Sequence, residues 1–79
     1  MNETARAIKR IRIMTGVTQN DFALAVGVSP SAVKEWEAGR NGINPSNMER
    51  IKDFLTKKGW TDEKIENVFV NAVLIDKLQ

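Results

Sequence analysis

The stretch TQNDFALAVGVSPSAVKEWEAG, residues 18–39, decides the fold of this chain. Thr18 and Ser29 are residue types that cap helix N-termini, and Pro30 suits the first turn of a helix, where its missing N–H is not needed. Between them, Gly27 is the residue most able to adopt the left-handed conformation that ends a helix. The stretch therefore predicts two short helices joined by a sharp turn.

The outward face of the second helix, residues 29–38, indicates what this helix-turn-helix of residues 18–38 does. Val33 and Trp36 follow a helical spacing and are expected to point inward. Four residues are expected to face outward: Ser31, Ala32, Lys34 and Glu35. Small or polar side chains on that face are typical of a helix that enters the major groove of DNA.

Three further helices are predicted outside this motif. The first runs from about Glu3 to Thr15, and the next begins after the cap Asn44 and ends at Gly59. The last occupies residues 61–78, with Thr61 as its cap. We therefore predict an all-α fold, a compact bundle of about five helices with a helix-turn-helix, in a single domain of residues 1–79.

The C-terminal helix, residues 61–78, carries more apolar side chains than one buried face needs. Its inward face is expected to hold Ile65, Val68, Phe69, Ala72 and Ile75. Four apolar residues are left over: Val70, Val73, Leu74 and Leu78. A small monomer rarely exposes such a patch, so we interpret them as the interface of a homodimer or with another protein partner. In two alternative interpretations, Val70 and Leu74 fold back on Trp60 and the first helix, or the apolar run forms an edge strand.

The composition favours a binding module over an enzyme. The chain has 79 residues, with 12 Lys and Arg against 10 Asp and Glu, a net charge of +2, and neither Cys nor His. A domain of this size has little room for a deep catalytic cleft, and it lacks the residue types of a thiolate or histidine metal site. We expect no enzyme activity, no cofactor and no metal; Asp62, Glu63 and Glu66 are interpreted as a solvated helix start. Without a signal peptide or a membrane span in the sequence, we expect a cytoplasmic protein with no membrane association.

The sequence resembles the Cro and lambda-repressor type of helix-turn-helix, often called the XRE family, over roughly residues 5–59. The resemblance rests on an ordered series of residues: Ile8, Ile11, Arg12, Gly16-Val17-Thr18-Gln19, Phe22-Ala23, Gly27-Val28-Ser29, Val33, Trp36-Glu37, Gly39 and Pro45. It implies that Gln19 contacts the DNA backbone. It also implies that Arg12 and Glu37 form a largely buried structural ion pair.

The expected DNA-binding residues extend from the first helix of the motif to the loop that follows it. They are Gln19, Asn20, Pro30, Ser31, Lys34, Glu35, Arg40 and Asn41, with Lys9 or Arg10 as further phosphate contacts. Lys34 and Ser31 suit base edges, and Glu35 suits the amino group of cytosine. The predicted partner is a double-stranded DNA operator.

We predict a sequence-specific transcriptional regulator, a small phage-type repressor similar to Cro that inserts the helix of residues 29–38 in the major groove as a dimer. Pro30 and Ala32 stand where many relatives carry long polar side chains, and Glu35 is acidic. These departures favour an alternative hypothesis, an anti-repressor or antitoxin that binds a repressor protein or other protein partner rather than DNA.

Overall fold

The helices begin where the sequence places capping side chains. The structure, a computed structural model, describes residues 2–78. At each capped start, a side-chain oxygen accepts a hydrogen bond from the N–H three residues further on, which satisfies a donor that helix geometry leaves unpaired. The capping residues are Asn2, Thr18, Ser29, Asn44 and Thr61. The four caps expected from the sequence are confirmed, and Asn2 is an additional one.

Three quarters of the described residues, 75%, are helical. The elements are α1 (Glu3–Thr15), α2 (Gln19–Val26), α3 (Pro30–Glu37), α4 (Pro45–Lys57), α5 (Asp62–Ile65), a π-helical segment (Glu66–Val70) and α6 (Asn71–Lys77). The last three continue into one another, and together they are called the C-terminal helix. Residues 2–78 contain no strand, so the all-α fold is confirmed and the alternative of an edge strand is wrong.

The core lies beneath α1 and the two helices of the motif. α1 packs against α3 and α6, while α2 packs against α3 and α4. Phe22 of α2 meets Phe54 of α4 edge to face, with ring centroids 5.4 Å apart and an interplanar angle of 89°, an arrangement that aromatic pairs prefer. The core therefore holds both helices of the motif, and α3 has a rigid support.

The turn between α2 and α3 depends on Gly27. Its φ of 86° lies in the left-handed region, and its N–H bonds to the carbonyl of Ala23, 2.8 Å away. A side chain at this φ costs about 1–2 kcal/mol. After this turn, Pro30 starts α3 in a new direction. The sharp turn predicted from the sequence is confirmed.

The C-terminal helix changes its hydrogen-bond pattern between α5 and α6. The N–H of Asn71 bonds to the carbonyl of Glu66, five residues earlier, instead of four as in an α-helix. Such a turn holds one more residue than an α-helical turn. Because successive residues of an α-helix are about 100° apart, every side chain after the π segment is rotated by roughly that angle.

This rotation overturns part of the predicted inward face. Ile65 and Phe69, before the end of the π segment, are buried as expected. Beyond it, Val73 takes the inward place and is 2% exposed, whereas Ile75, which was expected in the core, is 45% exposed. Ala72 is only partly buried. The inward residues of α6 are thus one position later than an uninterrupted α-helix predicts.

Candidate nucleic-acid interface

The helix α3 is attached to the core by one face and exposes the other. Val33 and Trp36 are buried, as the helical spacing predicts. Pro30, Ser31 and Lys34 are exposed on the outer side. The hydroxyl of Ser31, in the first turn of α3, and the ammonium group of Lys34, in its last turn, are thereby presented to solvent on one helix.

Two residues expected on this outer face behave differently. Ala32 is partly buried and packs against the core, so the expectation that it faces outward is wrong. Glu35 is also partly buried, and its Oε1 lies 3.2 Å from NH1 of Arg40. The ion pair brings together two of the predicted DNA-binding residues. It also places a positive charge beside the one carboxylate of α3 that was expected to face DNA.

The start of α2 presents a second set of polar groups. Gln19, its first residue, is partly buried, and Asn20 is exposed. The hydroxyl of Thr18 accepts the N–H of Asp21 at 3.1 Å, which defines the first turn. A helix N-terminus with its N–H groups and partial positive charge favours a phosphate, and Gln19 lies where it adds an amide to those donors.

The loop after α3 holds the remaining predicted contacts. Gly39 has a φ of 74°, and Arg40 and Asn41 follow it as exposed residues. The side-chain amide of Asn2 donates a hydrogen bond to the carbonyl of Gly39 at 3.2 Å. The loop is therefore fastened to the N-terminus of α1 at one end and to α3 through Arg40.

This arrangement of two helices, a connecting glycine and a following basic loop agrees with the comparison with known families. The sequence model of a family described as helix-turn-helix matches residues 8–58, from α1 to the end of α4. The chain belongs to this family. It is the XRE type, the helix-turn-helix of the Cro and lambda-repressor kind, and it is a family of DNA-binding regulatory domains and not of enzymes. No curated protein and no solved structure matches the chain.

The ion pair that membership of the XRE family implied is present in the structure. Nε and NH2 of Arg12 lie 2.6 Å and 2.9 Å from the two carboxylate oxygens of Glu37, while NH1 donates to the carbonyl of Val17. The side chain of Glu37 is only 3% exposed. The hydrogen bond with Glu37 raises the pKa of Arg12, against the smaller effect of burial. The pair connects α1 with the last residue of α3.

Sequence reasoning missed Arg50 of α4. Its NH1 donates to the carbonyl of Gly27 at 2.9 Å, so α4 supports the turn of the helix-turn-helix directly. An exposed arginine on a helix has no local signal for such a contact, because its acceptor lies 23 residues away in the sequence. Helix spacing excludes Arg50 from the core but does not indicate where its guanidinium binds.

The residues predicted as an interface in the C-terminal helix separate into two groups. Val73 is buried within this chain and Val70 packs against the core, so neither forms part of an exposed patch; this part of the prediction is wrong. Leu74 and Leu78 are 49% and 87% exposed. With Ile75 they form an apolar ridge on the outside of α6, called here the α6 ridge.

The two further phosphate contacts expected from the sequence lie on the surface of α1. Lys9 and Arg10 are exposed on α1, and Arg10 lines a groove between α1 and the C-terminal helix beside Asn67. Within residues 2–78, no group of His, Cys, Asp and Glu side chains is arranged to hold a metal ion. None of the helices described is both long enough and apolar enough to span a membrane.

Proposed function

We propose that this XRE-type regulator is a sequence-specific repressor similar to Cro, which binds an operator as a dimer with α3 in the major groove. One observation carries the proposal: the outer face of α3, with Ser31 and Lys34, stands exposed between the start of α2 and the loop with Arg40. A regulator of this kind acts where the DNA is, and we place it in the cytoplasm.

Base recognition is assigned to α3. Lys34 has three N–H donors on a flexible stem, which suit O6 and N7 of guanine, while the hydroxyl of Ser31 binds either donors or acceptors. Pro30 adds an apolar surface at the helix start. The carboxylate of Glu35 is assigned to the amino group at cytosine N4. To accept from that group, it must first give up its ion pair with Arg40.

Phosphate contacts are assigned to the two flanks of α3. Gln19 and Asn20 lie at the positive end of α2, and Arg40 and Asn41 lie in the loop beyond α3. Such contacts fix the register of a protein on the duplex without reading its sequence. Because Arg40 is exposed and its ion pair is with a single carboxylate, a phosphate oxygen can replace Glu35 at its guanidinium.

The α6 ridge supports the dimer. Leu74, Ile75 and Leu78 lie within about one turn of helix and are exposed apolar side chains of substantial size. Exposed leucines clustered on one face are typical of a protein–protein contact. In a two-fold dimer, the two copies of α3 would meet half-sites one helical turn of DNA apart, about 34 Å.

A second candidate function is favoured by the small number of donors on α3. With Ala32 packed on the core and Glu35 paired to Arg40, Ser31 and Lys34 remain as its exposed polar side chains. Such a surface also suits a protein partner, as in an anti-repressor or antitoxin that binds a repressor. The α6 ridge would then contact that partner.

The two functions are distinguished by selecting bound duplexes from a randomised DNA pool and titrating the selected duplex at rising salt. We expect one enriched sequence bound by two chains, with log affinity falling by about 0.9 per phosphate contact for each unit of log salt. Lys34→Ala should cost about 1–3 kcal/mol and relax preference at one base pair, whereas Gln19→Ala should weaken selected and random duplexes alike.

Lys57→Ala is the matched control. Lys57 is also an exposed lysine, but it lies at the far end of α4, about 18 Å along the helix from the loop that follows α3. Its loss should leave the selected sequence and its affinity unchanged. If no duplex is enriched, the repressor proposal fails, and binding to a repressor encoded nearby becomes the function to measure.

A further inference from the structure

Asp76 is the one acidic side chain of α6, and it binds the backbone of another helix. Its two carboxylate oxygens accept the N–H groups of Glu3 and Thr4, at 2.9 Å and 2.7 Å. These are the first two residues of α1, whose N–H groups have no partner within that helix. The π segment is what makes this possible, since without its extra residue Ile75 would occupy the inward position.

Asn2, the residue directly before α1, caps the same turn. The Oδ1 atom of Asn2 accepts the N–H of Ala5 at 2.7 Å, so that all three N–H groups of the first turn have side-chain acceptors. The Nδ2 atom of the same side chain then donates to the carbonyl of Gly39. One amide side chain thus joins the start of α1 to the loop that carries Arg40.

The approach of Asn2 to Gly39 is close. A Cβ atom added to Gly39 would lie 2.8 Å from Nδ2 of Asn2, so a glycine is needed both for this approach and for its positive φ. Asn2, Gly39, Arg40 and Asp76 surround one cavity of about 190 Å³. The loop, the first turn of α1 and the end of α6 therefore meet at one place.

We propose that Asp76 is a positioning residue for DNA binding, which acts through the first turn of α1 and Asn2 to hold the loop of Arg40 and Asn41 in place for phosphate. The inference rests on the proposed function. It links the helix that carries the α6 ridge to the loop that contacts DNA, because Asp76 and the ridge belong to the same short helix.

Asp76→Asn tests this, because the amide keeps the shape of the side chain but offers only one acceptor and turns an N–H towards the other backbone donor. The matched control is Thr61→Ala, which removes a cap bond at the start of the same C-terminal helix and is expected to cost a similar stability. We expect Asp76→Asn to weaken the selected operator by about 2- to 30-fold. The salt slope should decrease by about 0.9 for each phosphate that the loop no longer binds. Thr61→Ala should alter neither quantity.

A second readout does not require DNA. Amide hydrogen exchange of residues 39–42 should be faster in Asp76→Asn than in the wild type and unchanged in Thr61→Ala. Asn2→Ala should reproduce the effect, and the double variant should bind the operator no more weakly than the weaker-binding single variant, since both changes release the same loop.

The outcomes separate the two proposals. If the wild type binds its operator and Asp76→Asn behaves like Thr61→Ala in affinity, salt slope and exchange, the positioning role is wrong. Additive reductions in affinity in the double variant also contradict it. If the wild type enriches no duplex, the repressor function is wrong, and the DNA-positioning role of Asp76 is wrong with it.

Discussion

The helix-turn-helix and the C-terminal helix differ in where the information for their structure lies. In the motif, Thr18, Gly27 and Ser29 each act on atoms within a few residues of themselves. In the C-terminal helix, the orientation of α6 coincides with hydrogen bonds that Asp76 accepts from residues more than 70 positions away. Local chemistry specifies where the helices begin and end, and local spacing indicates the buried side of α3, whereas the buried side of α6 goes with contacts to a distant helix.

The difference has a consequence for function. α3 is held by its buried face and by the ion pair of Arg12 and Glu37, so the proposed reading surface is rigid. The end of α6 is held by side-chain bonds to a helix N-terminus. On the positioning role proposed for Asp76, a change in the C-terminal helix would reach the loop of Arg40 and Asn41 through Asn2 without altering α3.

Removing one partner of the buried ion pair tests how strongly the pair holds α1 to α3. Of the substitutions considered, it should reduce the free energy of unfolding the most. In Arg12→Met, the carboxylate of Glu37 would be left buried without its cation, which typically costs about 3–5 kcal/mol. We expect a decrease of that size in the free energy of unfolding, measured by urea denaturation. Since a small domain has only about 5–15 kcal/mol in total, the variant should be close to unfolding.

Lys9→Met is the control for this measurement. Lys9 lies on the same helix but is exposed, so its replacement should change the free energy of unfolding by less than about 0.5 kcal/mol. Equal small decreases in the free energy of unfolding of both variants would show that the pair does not hold α1 to α3. The ion pair would then no longer distinguish the helix-turn-helix from the C-terminal helix.

Sequence reasoning was most successful where a signal and its effect are adjacent. The caps at Ser29, Asn44 and Thr61 each accept an N–H three residues on, and that spacing can be read directly. The pair of Arg12 and Glu37 is 25 residues apart, and only the resemblance to a known family indicated it. Long-range pairs have no periodic signature, so residue pattern alone did not predict this one.

The rotation of α6 can be tested by comparing Val73→Ala with Ile75→Ala. Val73 is 2% exposed, so removal of its two methyl groups should reduce the free energy of unfolding by about 2 kcal/mol. Ile75 is about half exposed, and its truncation should cost much less, although it removes more atoms. Urea denaturation of both variants at low protein concentration, where any dimer is dissociated, measures the difference.

An uninterrupted α-helix predicts the opposite order. In that geometry Ile75 would be buried and its truncation would cost about 2–5 kcal/mol, while Val73→Ala would be nearly neutral. A larger decrease for Ile75→Ala would therefore exclude the π segment in solution. It would also mean that Val73 is exposed, as the sequence alone predicted.

The candidate site could be predicted from the sequence wherever the spacing of apolar residues shows which side of a helix faces the core. Pro30, Ser31 and Lys34 are exposed as the spacing of Val33 and Trp36 requires, because no irregular turn interrupts α3. For α6, the apolar run of residues 68–75 fits several phases, and hydrophobicity alone does not choose among them. Asp76 was the available signal, since an acidic residue directly after such a run needs either solvent or hydrogen-bond donors.

The pH dependence of Asp76→Asn gives the smallest effect and separates a charged cap from a merely polar one. Burial raises the pKa of Asp76, but hydrogen bonds from the Thr4 side chain and from the N–H groups of Thr4 and Glu3 together lower it below its ordinary value. A carboxylate with a lower pKa in the folded state stabilises the fold fully above its unfolded pKa of about 3.9. That contribution disappears as the pH falls through the folded pKa, because the proton then removes the charge.

We therefore expect the wild type to exceed Asp76→Asn by about 1 kcal/mol in the free energy of unfolding between about pH 5 and 7, and the difference to shrink below about pH 4. The difference between the wild type and Thr61→Ala, which involves no titrating group, should stay constant over the same range. If the Asp76→Asn difference also stayed constant down to about pH 2, the carboxylate charge would contribute nothing to the cap. The end of α6 would then be held by the packing of Val73 and not by the charge of Asp76. The helix-turn-helix and the C-terminal helix would then differ only in the rotation that the π segment gives to α6.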